Sequence, residues 1–217
     1  MRRILTTAAL AAAALTCSAA PALADDGYTT EQVAPTWTAA SAESCADPDT
    51  SPLLAGFKDN DFYAVAPGGD FESGAAGWEL DGGAAIGASS EGLLGASNGA
   101  LELPVGGSAT SPTFCVDERY PHFRLAYAPG TGTVDTTMRV DVLYPGLQKD
   151  NVHKAKDLTA KRDKSWALSD RIKLDPLRGL KKGAGWRLVA LRLSVTDGKP
   201  GAMVRVDDVL IDPRARA

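Results

Sequence analysis

The sequence predicts an all-β domain, a sandwich or a barrel. Three observations carry that expectation. Apolar residues recur at every second position over several short runs, Gly and Pro clusters separate those runs, and no segment sustains a helical period. Many short strands without helices bury one face by doubling or closing the sheet.

Leu101, Leu103 and Val105 alternate with polar or small residues, and so do Phe123, Leu125 and Tyr127. Met138, Val140, Val142 and Tyr144 repeat the pattern, as do Val189, Leu191, Leu193 and Val195. Such alternation places one face of each strand in a core and the other toward water. Pro129-Gly130 and Pro145-Gly146 interrupt the runs, and Asp197-Gly198-Lys199-Pro200-Gly201 resembles a hairpin turn. Between Lys149 and Lys164, Val152, Ala155 and Leu158 hint at a helix, but the polar alternation fits a hairpin arm better. Trp166, Ile172 and Leu174 would supply the strands that follow. The Gly-rich stretches 81–84 and 92–99 lack both the strand-loop-helix setting and the Lys of a phosphate loop, and read as loops.

The first 24 residues read as a secretory signal peptide. Arg2 and Arg3 form a positive start, residues 4–15 an apolar run too short to span a bilayer, and Ala22-Leu23-Ala24 a small-x-small cleavage site. The expected address is secreted, with no transmembrane segment after cleavage. Cleavage would remove Cys17 and leave Cys45 and Cys115, an even pair that reads as one disulfide in an exported chain. Residues 25–57 are rich in Ala, Ser, Thr and Pro without a sustained period, and read as a largely irregular N-terminal extension.

Charge is uneven. Residues 146–192 hold thirteen Lys and Arg against five Asp, while the rest of the cleaved chain is strongly acidic. This block, Lys149 to Arg192, suits either a surface for an anionic polymer or a solvated edge guarded by lysines.

Two motifs bracket the alternating region. Pro67-Gly68-Gly69-Asp70-Phe71-Glu72-Ser73-Gly74 is followed by Gly77-Trp78, and Val204-Arg205-Val206-Asp207-Asp208-Val209-Leu210-Ile211-Asp212-Pro213 lies near the end. Together they resemble the first and last strands of galactose-binding-like jelly rolls, the β-sandwich shared by many secreted carbohydrate-binding modules. The resemblance spans roughly residues 58–213. It implies one jelly-roll sandwich, with Trp78 in the core and the terminal strands side by side. It also implies a structural calcium held by Glu72, with Asp70 nearby, and by Asp207 or Asp208, a hard-oxygen set suited to that ion. Adjacent Asp207 and Asp208 point to opposite faces of a regular strand, so both can serve one site only at a bulge. The sequence departs from the family pattern at Gly68-Gly69, where Asn-Gly is common, and no catalytic domain accompanies the module.

Catalysis has little to stand on. His122 and His153 are the only histidines, neither in a nucleophile-base pattern, and no soft-ligand spacing suits zinc. Sugar stacking would need exposed aromatic rings, for which Trp166 and Trp186 are the candidates. The expectation is a secreted, non-catalytic module for a carbohydrate or cell-surface polymer, without a nucleic-acid partner. The alternative is a structural or cell-envelope protein whose basic face, Lys149 to Arg192, docks an anionic polymer or a protein.

Overall fold

The computed structural model describes residues 41–89, 91–130, 134–147 and 151–212, and the signal-peptide pattern and Cys17 lie outside them. Two antiparallel sheets face each other. One has the order β10 (Ala167–Leu168), β7 (His122–Pro129), β13 (Met203–Asp212), β4 (Gly99–Pro104), β3 (Ala85–Ala88). Its short β1 (Ala64–Val65) pairs with β13, and β11 (Ile172–Lys173) with β7. The other sheet has the order β2 (Glu79–Asp81), β5 (Ser108–Thr110), β12 (Arg187–Asp197), β8 (Thr136–Leu143), β9 (Val152–Ala160), with β6 (Phe114–Val116) pairing β12. The fold is the all-β, jelly-roll type of sandwich that the motifs imply.

Alternation in the sequence becomes the core. Met138, Val140, Val142 and Tyr144 of the β8 run meet Val189, Leu191, Leu193 and Val195 of β12 and the inward residues of β4, β7 and β13, all in one buried cluster. Phe71, Trp78, Leu103, Phe123, Leu125, Val206 and Val209 belong to it as well. Trp78 packs on Phe71 with ring centroids 5.2 Å apart, and its indole N–H donates to the Pro67 carbonyl at 2.9 Å. That bond satisfies the ring's one polar atom within an apolar setting.

The lysine-rich stretch is a strand: β9 pairs with β8 along its length and forms the outer edge of its sheet. One turn expectation is corrected. Residues 198–202 do not close a hairpin, because β12 and β13 lie in different sheets. The turn chemistry correctly marks a chain reversal, but each strand finds its hydrogen-bond partners far away in sequence, and the chain crosses from one layer to the other.

The terminal strands are neighbours. β1 pairs with β13 at Ala64↔Ile211 and Val65↔Leu210, and Val209 then exchanges backbone hydrogen bonds with Ala66 and Gly69. Gly69 is suited to this approach, since a Cβ there would stand 3.0 Å from that of Val209. The segment before β1 is irregular but packed. Leu54 and Tyr63 form a second buried cluster with Leu210 on the outer face of the seven-stranded sheet. Tyr63 donates to Asp59, which also accepts from Arg124 of β7.

Cys45 and Cys115 form the expected disulfide, with Cα atoms 5.7 Å apart and a sequence separation of 70. Closing a loop of that length removes unfolded-chain entropy worth about 4 kcal/mol in the chain-entropy model. A Cys45→Ser/Cys115→Ser variant is expected to lose stability of that order in urea unfolding. Leu191→Ala, which empties a fully buried site between the sheets, should cost about 2–5 kcal/mol. An unchanged midpoint for Leu191→Ala would contradict its place in the core.

Candidate functional site

The outer face of the six-stranded sheet carries a polar lattice. On β8 the residues between the buried apolar ones are Thr137, Arg139 and Asp141, and on β12 they are Arg192, Ser194 and Thr196. Register joins them into two rows. Arg192 stands opposite Asp141 on β8 and Thr110 on β5, while Ser194 stands opposite Arg139 and Ser108. β9 adds Lys154 beside Asp141 and Asp157 beside Arg139, and β2 adds Glu79 and Asp81 at the other end. Side chains opposite one another on neighbouring strands are within reach of contact.

Asp141 organises the lattice. Its side chain is 1% exposed, and it accepts from Arg139 Nε at 2.7 Å and from Arg192 Nη2 at 2.9 Å. A carboxylate this buried requires charged partners. Both arginine side chains remain more than a third exposed. A cavity of about 330 Å³ opens here, lined by Ser108, Arg139, Asp141, Arg192, Ser194 and Thr196 among others. A second of about 290 Å³, shared through Arg139 and Thr196, continues past Lys154 and Asp157. The two form a groove of fixed donors and acceptors across the central strands. Sequence reasoning missed it. Arg-x-Asp in an alternating run puts both residues on one face, but which residue stands opposite them is set by register.

The four carboxylates tied to the bracketing motifs lie in one neighbourhood at the opposite sheet. β13 is bulged between Asp207 and Leu210, and Asp208 has a positive φ of 45°. The bulge sends both Val206 and Val209 into the core, and it buries Asp207 at 2% exposure. Burial first, and the charge of Asp208 second, push the Asp207 carboxyl up to about 7, with Glu72 adding to the rise. Burial likewise raises Asp208 to about 6, with Asp70 and Glu72 contributing. Glu72 is exposed and accepts from the backbone N–H and side-chain amide of Asn98, which holds its carboxyl below the usual range. The donor chemistry suits a hard cation. As the side chains stand, no three His, Cys, Asp or Glu among the described residues gather into a metal-holding group.

The two tryptophans already have neighbours. Trp186 stacks on Tyr120 at 6.1 Å between centroids, and the Arg119 guanidinium lies 5.0 Å from its ring centre. Trp166 has Arg205 of β13 at 5.4 Å. Both tryptophans are half-buried, each with a guanidinium over its ring, and Trp186 packs against the core. Of the basic stretch, Arg187 and Arg192 stand on β12, while part lines the side of the sandwich where the edge strands β9 and β11 meet. There Lys154, Lys156 and Lys161 pair with Asp157, Asp170 and Asp135, and Arg171 pairs with Asp61 and Asp212. His122 opens β7 and His153 lies on β9, opposite Val142.

No family model and no curated protein matches this chain. Among solved structures it is similar to the CBM22-1 xylan-binding domain of Paenibacillus barcinonensis Xyn10C, at 15% identity over 79% of this chain and 100% of that one, with a TM-score of 0.49. It is also similar to a CBM28 carbohydrate-binding module specific for non-crystalline cellulose (15% identity, 69% and 94% coverage, TM-score 0.43). A third is the K1 cleaved adhesin domain of Lys-gingipain from Porphyromonas gingivalis W83 (16%, 68% and 96%, 0.44).

The raised carboxyls give a pH signature with a fixed sign. A folded state that holds these protons more tightly than the unfolded chain, whose Asp titrates near 3.8, gains their full stabilisation below about pH 4. That contribution fades as pH rises through about 6 and 7. In buffer free of divalent cations, Asp207→Asn is expected to raise the urea midpoint at pH 7.5 and to change it little near pH 4. An advantage that is equal at both pH values would exclude the titration.

Proposed function

We propose that this is an exported, non-catalytic binding module for saccharides and that the groove on the six-stranded sheet is its binding surface. The observation that carries the reading is the lattice around Asp141. It presents guanidinium donors, a carboxylate and hydroxyls at fixed spacing on the two central strands, β12 and β8. Sugar hydroxyls both donate and accept, so a surface that alternates fixed donors with fixed acceptors matches them without reorganising. Strands hold such groups more rigidly than loops do. Export is supported by the signal-peptide pattern and by the disulfide, a bond that persists in oxidising compartments. The ion-paired cations at the sandwich side support a solvated edge more than a docking surface.

A screen of the cleaved protein against a glycan array tests the reading. Ser194→Tyr, which fills the groove from an outward position, is expected to abolish the binding found, whereas Lys156→Gln with Lys161→Gln should leave it intact. Loss of binding with the lysine pair and not with Ser194→Tyr would move the surface to the basic side.

We further propose that Asp70, Glu72, Asp207 and Asp208 serve a structural calcium. Bound calcium would neutralise their mutual repulsion, and the support is the raised pair on β13, Asp207 buried and Asp208 half-buried, with the charges of Asp70 and Glu72 adding to the rise. Binding to the folded state alone stabilises it by about 2.7 kcal/mol at a hundredfold excess over the dissociation constant. The expected result is a melting temperature that falls with chelator and recovers with calcium but not with sodium. No response to chelator would leave the cluster as hydrogen-bonding carboxylates.

A further inference from the structure

The groove has a feature that fixes the chemistry of its ligand more narrowly: among the residues lining it there is no aromatic ring. A neutral sugar gains much of its affinity by laying its C–H face on a ring, and here that contribution is missing. Polar contacts must supply the rest. Those between neutral groups exchange with water at little net gain, whereas hydrogen bonds in which a partner is ionised are roughly twice as strong.

The charged groups lining the groove are Arg139, Arg192 and Lys154 with Asp141, Asp157 and Asp197; Lys154 is paired with Asp157, so the guanidiniums around Asp141 are the cations at its centre. Asp141 occupies Arg139 Nε, and Arg192 Nε and Nη2, which leaves both Nη groups of Arg139 and Nη1 of Arg192 outside the bonds to Asp141. Two positive charges surround one negative charge at the centre of the groove. Asp141 also fixes both planes, so their ordering is complete before a ligand arrives. A planar fork held in this way matches a planar carboxylate. Ser108 and Ser194 stand on neighbouring strands beside it, where hydroxyls of the same sugar ring could pair. At the β2 end of the rows Glu79 and Asp81 are acidic, which disfavours a ligand charged along its whole length.

We infer that the groove takes an acidic saccharide carrying isolated carboxylates, a hexuronate unit set among neutral sugars, with the carboxylate on Arg139 and Arg192. The inference rests on the saccharide-binding reading and narrows it to a charge class.

The experiment compares two disaccharides that differ in one group. One is a hexuronate linked to a neutral hexose, and the other is its carboxyl-reduced counterpart. Both are titrated into the cleaved protein by calorimetry at 0.15 M salt, alongside a densely sulfated polysaccharide and a panel of neutral oligosaccharides. The acidic disaccharide is expected to bind at least tenfold more tightly than the reduced one. Arg139→Gln should remove that preference, and it should also lower the melting temperature because it withdraws a charged partner from the buried Asp141. The ligand pair needs no variant, so the comparison stands even if replacing an Asp141 partner unfolds the domain. Equal affinity for the two disaccharides overturns the acidic inference and leaves the saccharide reading in place, as does stronger binding of the sulfated polymer. Binding to no glycan at all overturns both.

Discussion

The bulge in β13 is the constraint on which the rest of this structure turns. β13 is the central strand of its sheet, hydrogen-bonded to β7 on one side and to β4 and β1 on the other. A regular strand would place Val206 and Val209 on opposite faces. The extra residue at Asp207–Asp208 sends both into the core and leaves Asp207 buried on the other face. It also sets the exchange between Val209 and the opening segment, where Ala66 and Gly69 take the place of a longer strand. Positive φ at Asp208 and Phe71 shows where the backbone bends to permit this. Strain at such positions persists where the surrounding structure over-determines it.

Around that bulge the small residues have a steric purpose. A Cβ on Gly92 would stand 2.5 Å from Asp207 Oδ2, and one on Gly99 would stand 2.6 Å from the Phe71 carbonyl oxygen. The loop that looks merely flexible in sequence is therefore a close cover over a buried carboxylate, with the Ser97 hydroxyl donating to the Gly99 carbonyl and Asn98 donating to Glu72. The opening motif, the glycine loop and the closing strand meet in one place.

The two outer faces of the sandwich have different uses. Over the seven-stranded sheet the N-terminal segment adds a second apolar cluster and a network of Asp59, Asp61, Arg124 and Arg171, and the disulfide anchors it farther back. The six-stranded sheet carries no such cluster among the described residues, and its central strands hold Asp141 between two arginines instead. One face is closed by its own chain and the other presents polar side chains on its central strands.

What the sequence determined by itself was local or periodic. Alternation named the inward residues of β4, β7, β8 and β12, because the pleat has a period of two whatever the partner strand. The bracketing motifs identified the sandwich and placed Trp78 in its core, and the two cysteines outside the first 24 residues named the disulfide. Tertiary structure decided what depends on partners. Nothing local distinguishes a turn that closes a hairpin from one that crosses between layers, so residues 198–202 reversed the chain as their chemistry requires but joined different sheets. Nothing local shows that Asp141 stands opposite Arg192, fifty-one residues away, because register is set by the burial of the opposite face. The groove was written in the outward positions of two strands and became legible only when the fold laid them side by side.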